Sequence, residues 1–137
     1  MTTQTSQLLG AHPEVVAACA EHYTSLDVGT TRMGDSNFAA LLQAQSTATL
    51  TSLKANGCSL SDRSISALSD SALTRLTALD LSSNKLTNAA LATLANWPGL
   101  ENVTHLKLGN NRKLSRVGYA ALADSPHLDP AALLSAR

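Results

Sequence analysis

Aromatic residues are scarce. Four among 137, Tyr23, Phe38, Trp97 and Tyr119, cannot fill an interior with large rings, so a core has to be assembled from Leu, Ala and Val in thin layers. Cysteine is nearly absent too. Cys19 and Cys58 are too few for a disulfide framework and have no metal-site spacing, which makes a reducing, cytoplasmic compartment the expectation. Charge of either sign is not in excess: Lys+Arg and Asp+Glu stand at ten each, so no summed field draws in a polyanion and nucleic acid is not an expected partner. No stretch approaches the roughly eighteen apolar residues of a membrane span. The opening MTTQTSQLLG lacks the basic and apolar regions of a secretory signal, and a membrane role is not expected. Such a Ser/Thr/Gln-rich leader reads as a disordered terminus, or as the start of a bacterial effector exported without cleavage.

What is present is a 44% apolar content, enough for one domain with a real core, and a period. In LTALDLSSNKL the residues Leu76, Leu79, Leu81, Asn84 and Leu86 follow a spacing of 0, 3, 5, 8 and 10. The spacing recurs at Leu50, Leu53, Ala55, Cys58 and Leu60, and again at Val103, Leu106, Leu108 and Asn111, reaching Leu114 after one inserted residue. A weaker copy runs through Tyr23, Leu26, Val28, Thr31 and Met33. Each is followed by a pair three apart on an Ala-rich background, Phe38/Leu41, Ile65/Leu68, Leu91/Leu94 and Tyr119/Leu122, which is a helix stripe.

A fixed period of this length dictates a whole fold. The copies resemble the leucine-rich-repeat family, with its L-x-x-L-x-L-x-x-N/C-x-L pattern, from about Tyr23 to Leu128. Repeat lengths of 26 to 28 with a full helix resemble its ribonuclease-inhibitor-like subclass, and the segments AALATLANWPGLENVTHLKLGNN and YAALADSPHL resemble bacterial cytosolic arrays of that type. The resemblance implies an α/β, right-handed solenoid of about four strand–helix repeats, with a short parallel sheet on the concave side and helices on the convex side. Its divisions would be a polar leader and capping helix at 1–22, repeats at 23–128 starting near 23, 50, 76 and 103, and a short C-terminal cap at 129–137.

Physical reasoning leads to the same picture. Leu79 and Leu81 alternate with Ala78, Asp80 and Ser82, so one strand face goes inward and the other outward. Asn84 and Asn111 stand where the chain turns, and a buried amide there can satisfy backbone groups that would otherwise be costly. Cys58 and Thr31 occupy the same column, which makes Cys58 a turn residue before it is a reactive thiol. Terminal repeats need caps. Pro13 to His22 reads as a helix with Val15, Val16 and Cys19 as its stripe. At the other end, Asp129 and Pro130 start a helical turn through Ala131, Ala132 and Leu133; the alternative is that Ala131, Leu134 and Ala136 begin an incomplete fifth strand.

No catalytic constellation emerges. His12, His22, His105 and His127 are dispersed, none at a triad or metal spacing, and GNN at 109–111 lacks the Lys-Ser/Thr of a phosphate loop. Neither enzymatic activity nor a cofactor is expected. The informative residues are the outward strand positions, which stacking would align about 4.8 Å apart. One column reads Asp27, Lys54, Asp80, Lys107; flanking it are Ser25, Ser52, Ala78, His105 and then Gly29, Asn56, Ser82, Gly109. The charged column is a self-neutralising ladder, a recognition surface, or both. From the three columns come the expected partner-binding residues Asp27, Ser52, Lys54, Asn56, Asp80, Ser82, His105 and Lys107. Two further features are weighed as secondary contacts. Trp97 is either buried beneath its turn or a surface anchor, and the basic run Arg112, Lys113 and Arg116 is either a solvated loop or an acidic partner's site.

The resemblance implies a non-catalytic protein-binding module, an adaptor, effector or assembly subunit. The alternative is a structural, self-assembling module. Residues 1–49 carry a net −3 and residues 103–128 a net +3, so the expected states are a monomer or weak head-to-tail association.

Overall fold

The computed structural model describes residues 25–43, 50–71, 73–129 and 131–133. The expected leader and capping helix at 1–22, and Tyr23, lie outside the described residues. Among the described residues four strands alternate with helices: β1 (Ser25–Asp27), α1 (Gly34–Gln43), β2 (Ser52–Lys54), α2 (Asp62–Ser69), β3 (Ala78–Asp80), α3 (Asn88–Ala95), β4 (His105–Lys107) and α4 (Arg116–Ala123). A 3-10 segment, Pro98–Asn102, joins α3 to β4. The strands form one parallel sheet in the order β1-β2-β3-β4.

Register follows the leucines. Leu26 pairs with Leu53, Leu53 with Leu79 and Leu79 with Leu106, and all four are buried. Two residues on, Val28, Ala55, Leu81 and Leu108 form a second buried row. The ladder continues past the strands: Val28 N donates to Lys54 O (2.8 Å), Ala55 N to Asp80 O (2.9 Å) and Leu81 N to Lys107 O (2.8 Å). Helices of eight to ten residues are too short to stand alone in water, so their order comes from packing. Phe38, Leu41, Ile65, Leu68, Leu91, Leu94 and Leu122 are buried; Tyr119 is half-buried against the same core.

Asn84 stitches two units together. Its Oδ1 accepts from Cys58 N (2.9 Å) and Leu60 N (3.1 Å), while Nδ2 donates to Ala55 O (3.0 Å), Leu81 O (3.0 Å) and Ser82 O (3.1 Å). Asn111 repeats the device, accepting from Leu86 N (3.1 Å) and donating to Leu81 O (3.1 Å) and Leu108 O (2.8 Å). In the same column the buried Cys58 Sγ donates to Val28 O (2.9 Å), and Thr31 Oγ1 reaches the same oxygen (2.8 Å). The residue before each of these, Thr30, Gly57, Ser83 and Asn110, has φ of 62°, 63°, 58° and 59°. A left-handed residue at each turn reverses the chain toward its helix; only Gly57 adopts it without a Cβ penalty.

A second clamp, not apparent from sequence spacing, runs along the helix starts. Asp35 Oδ1 accepts from Ser61 N (2.8 Å) and Ser64 Oγ (2.5 Å), and its Oδ2 accepts from Ser61 Oγ (2.6 Å). Asp62 does the same for Thr87 N (2.8 Å) and Thr87 Oγ1 (2.5 Å). Asn88 Oδ1 accepts from Ser115 N (3.0 Å) and Gly118 N (3.1 Å), and its Nδ2 donates to Ser115 Oγ (2.9 Å). Each helix start thereby holds the N-cap residue of the next helix, 25 to 27 residues on, satisfying amides the helix itself leaves unpaired.

The Asp35 carboxyl feels burial, which raises its pKa, but the Ser61 and Ser64 hydroxyls, the Ser61 amide and the Arg63 charge together outweigh it and hold the pKa below the ordinary value of 3.8. A depressed folded-state pKa adds stability that is present above the unfolded value and lost as pH falls through the folded one. Asp35→Asn is therefore expected to lower stability at pH 7 and to narrow its deficit against the wild type as pH drops below about 4. Urea midpoints at pH 7, 4 and 3 measure this; a deficit that does not change with pH would contradict it.

At the far end, 131–133 is a helical turn, with Ala131 N donating to Asp129 Oδ1 (3.0 Å) and Ala132 fully buried. Of the two expectations for this segment, the fifth strand does not form at Ala131. The Asp129 carboxylate accepts from the Ala131 amide and its backbone carbonyl from Ala132 N (2.9 Å), which favours a helix there.

Candidate functional site

The middle residue of each strand points inward, so its neighbours are forced outward, and the parallel register turns these into rows. Ser25, Ser52, Ala78 and His105 align, as do Asp27, Lys54, Asp80 and Lys107. The third row, Gly29, Asn56, Ser82 and Gly109, is carried forward by bonds of the adjacent turns, Thr30 N to Asn56 O (2.7 Å), Gly57 N to Ser82 O (3.1 Å) and Ser83 N to Gly109 O (2.8 Å).

The rows are as expected, but the charged row is not laterally paired. Asp27 Oδ1 accepts from Gly29 N (2.9 Å), and Asp80 Oδ1 accepts from Ser82 N (3.0 Å) and Ser82 Oγ (2.6 Å). Each carboxylate turns along its own chain to the amide two residues on, the local bond that Asp favours at a turn. No ion pair within 4.0 Å joins these residues among the described residues. The self-neutralising ladder is thus corrected: the aspartates are held by their own backbone, and Lys54 and Lys107 are exposed with uncommitted ammonium groups.

An open depression of about 270 Å3 lies over β2 to β4, lined by Ser52, Lys54, Ala78, Asp80, His105 and Lys107, with Leu53 and Leu79 also contributing. Five of the eight expected contact residues meet there. Asp27 lies one strand outside it, and Asn56 and Ser82 continue the same face toward the turns. His105 is exposed, and its Nδ1 lies 3.0 Å from Thr104 Oγ1, which orients the imidazole. Asn56 turns its amide onto Gly29: a Cβ on Gly29 would lie 2.4 Å from Asn56 Oδ1, and that oxygen is buried without a hydrogen-bond partner.

Trp97 is corrected as a contact residue. It is 3% exposed, and its indole lies so close over Gly99 that an added Cβ would come within 2.2 Å of the ring. Its size fills the space under the 3-10 segment, and the glycine that admits the ring was the available signal. The basic run is divided. Arg112 and Lys113 line a second depression, at the turns, whereas Arg116 stands at the start of α4 outside it.

Among the described residues no three His, Cys, Asp or Glu side chains gather as a metal set. No helix among them is long and apolar enough to cross a membrane.

The fold and face define an array of strand–helix units that exposes one polar sheet surface. No family model matches the chain, and no curated protein matches it. Among solved structures it is similar to leiomodin-1 actin-binding site 2, with a TM-score of 0.66 at 15% identity, over 85% of this chain and 73% of that one. The similarity is one of fold.

Proposed function

We propose that the chain is a leucine-rich-repeat solenoid of the ribonuclease-inhibitor-like kind, and that it is a non-catalytic module whose sheet face binds a protein partner. The observation that carries this reading is the register: four strands align their outward residues into continuous polar rows, and among the described residues the ammonium groups of Lys54 and Lys107 in those rows make no ion pair or hydrogen bond. Such a face offers many weak, orientable contacts. The solved structure it resembles in fold is an actin-binding site, which supports protein binding as a use of this architecture without carrying actin over to this chain. The rows lack Trp, Tyr and Arg, the residues that dominate most interfaces, so the partner supplies the anchors and Lys54, Lys107 and His105 supply hydrogen bonds and charge. The proposal assigns no cofactor and no catalytic residue.

A photo-crosslinking residue placed at His105, compared with one at the exposed Ala92 on α3, tests this in the native cell. A defined heteromeric product at position 105 is expected, absent at position 92 and reduced about tenfold when Lys54 and Lys107 are both changed to Glu. Equal products at both positions would remove the sheet face as the site. A product of twice the chain's own mass would favour the self-assembling alternative.

A further inference from the structure

We propose that the turn edge of the sheet carries a second site, an oxyanion-binding cleft for an extended acidic or phosphorylated peptide segment. The depression there has a volume of about 650 Å3 and is the larger of the two; Lys85, Arg112 and Lys113 line it together with Ser59, Ser83 and Asn110. All six are exposed. No carboxylate stands among the lining residues, and among the described residues none of these six side chains has a hydrogen-bond or ion-pair partner. Asn84, which also lines the cleft, spends both ends of its amide on backbone. Three like charges collected in a recess without a counter-ion raise the local positive potential, and an anion relieves their repulsion.

The backbone builds the recess. Gly57, Ser83 and Asn110 occupy the same left-handed position in three successive turns, and Ser59 is left-handed as well, with φ of 58°. The extra residue after Asn111 brings two cations, Arg112 and Lys113, to a turn where the preceding unit has only Lys85. Turns repeat at the strand spacing of about 4.8 Å, so a ligand crossing three of them spans about 10 Å, the length of roughly three residues of extended chain. A single inorganic anion would not fill such a cleft; an extended peptide with acidic side chains would. No aromatic side chain lines it for bases to stack on, which disfavours single-stranded nucleic acid, and no apolar side chain is presented for insertion into lipid. Arg offers a planar fork and Lys a point charge, with hydroxyl and amide donors between them, a set that fits carboxylate and phosphoryl oxygens alike.

The test titrates fluorescently labelled hexaglutamate, a peptide of alternating phosphoserine and glycine, hexaglutamine and a dodecamer of thymidylate into the full chain, at about 50 mM and about 500 mM salt. One or both anionic peptides are expected to bind at low salt, weaken at high salt and exceed hexaglutamine; which of the two binds more tightly identifies carboxylate or phosphate as the preferred source. Joint replacement of Lys85, Arg112 and Lys113 by Ala should weaken the binding about tenfold, while replacing by Ala the exposed Arg75, which lines neither depression, should leave it unchanged. In the unaltered chain, the amide resonances of Gly57, Ser83 and Asn110 should shift on titration, which tests the location without any variant. The proposal is overturned if neither anionic peptide binds at low salt, if binding survives the triple replacement, if the shifts fall elsewhere, or if thymidylate binds more tightly than both.

Discussion

Leu81→Asp is expected to abolish cooperative unfolding. Leu81 is fully buried, its amide donates to Lys107 O (2.8 Å), and its carbonyl accepts from both Asn84 Nδ2 (3.0 Å) and Asn111 Nδ2 (3.1 Å). The substitution removes a Leu side chain, a loss of about 2–5 kcal/mol, and adds an unpaired carboxylate whose burial costs several kcal/mol more. Together these are comparable with the lower part of the roughly 5–15 kcal/mol that holds a domain folded. Two residues away, Ser83 is exposed, so Ser83→Asp should stay within about 1 kcal/mol of the parent. Thermal melts followed by circular dichroism compare the two. A cooperative transition for Leu81→Asp close to the parent's midpoint would mean that the inward row has been misplaced.

Asn84→Leu is expected to cost about 3–6 kcal/mol, although it replaces a polar core residue with an apolar one of similar size. The amide bonds two N–H groups and three carbonyls on two units, and each buried group left unpaired costs about 1–3 kcal/mol, partly offset by the greater apolar burial of leucine. The same column offers an internal comparison. Cys58 serves it through a thiol, a weaker donor, to Val28 O and more distantly Asn56 O, so Cys58→Ala should cost only about 1–2 kcal/mol. Urea denaturation of both variants gives the ordering. If Cys58→Ala proved as damaging as Asn84→Leu, the column would be acting through packing and not through hydrogen bonds.

Much of the scaffold was legible in the residues. The 0, 3, 5, 8 and 10 spacing marks the inward positions because a strand alternates and a turn follows at a fixed offset, and those positions are buried at Leu53, Ala55, Cys58 and Leu60 and at Leu76, Leu79, Leu81, Asn84 and Leu86. The helix stripes were legible for the same reason. The rows on the open face followed once the period was known, since equal repeat lengths impose the register.

The polar details were not. Asp35 and Asp62 look like ordinary acidic residues of a helix's first turn, yet their carboxylates hold the next unit's N-cap. The only signal is a polar side chain at the equivalent place in three units, Asp35, Asp62 and Asn88. Asp27 and Asp80 stand beside lysines in the sheet and still bond their own backbone, because a partner two residues along is held at the right distance whereas a neighbouring lysine must give up side-chain freedom to reach it. Trp97 was compatible with either burial or exposure until Gly99 was seen beneath the ring. Lys85 did not belong to the basic run by sequence; the stacked turns bring it to Arg112 and Lys113, while the start of α4 takes Arg116 away.

By itself the sequence determined the period, the inward rows and the alternation of strand with helix, because these depend on spacing within a single unit of some twenty-seven residues. The tertiary structure alone decided which polar group bonds which across the gap between units, which cations converge and which side chain fills a turn. Those outcomes depend on the lateral offset of neighbouring units and on side-chain rotamers, and neither is encoded in the local pattern of one unit.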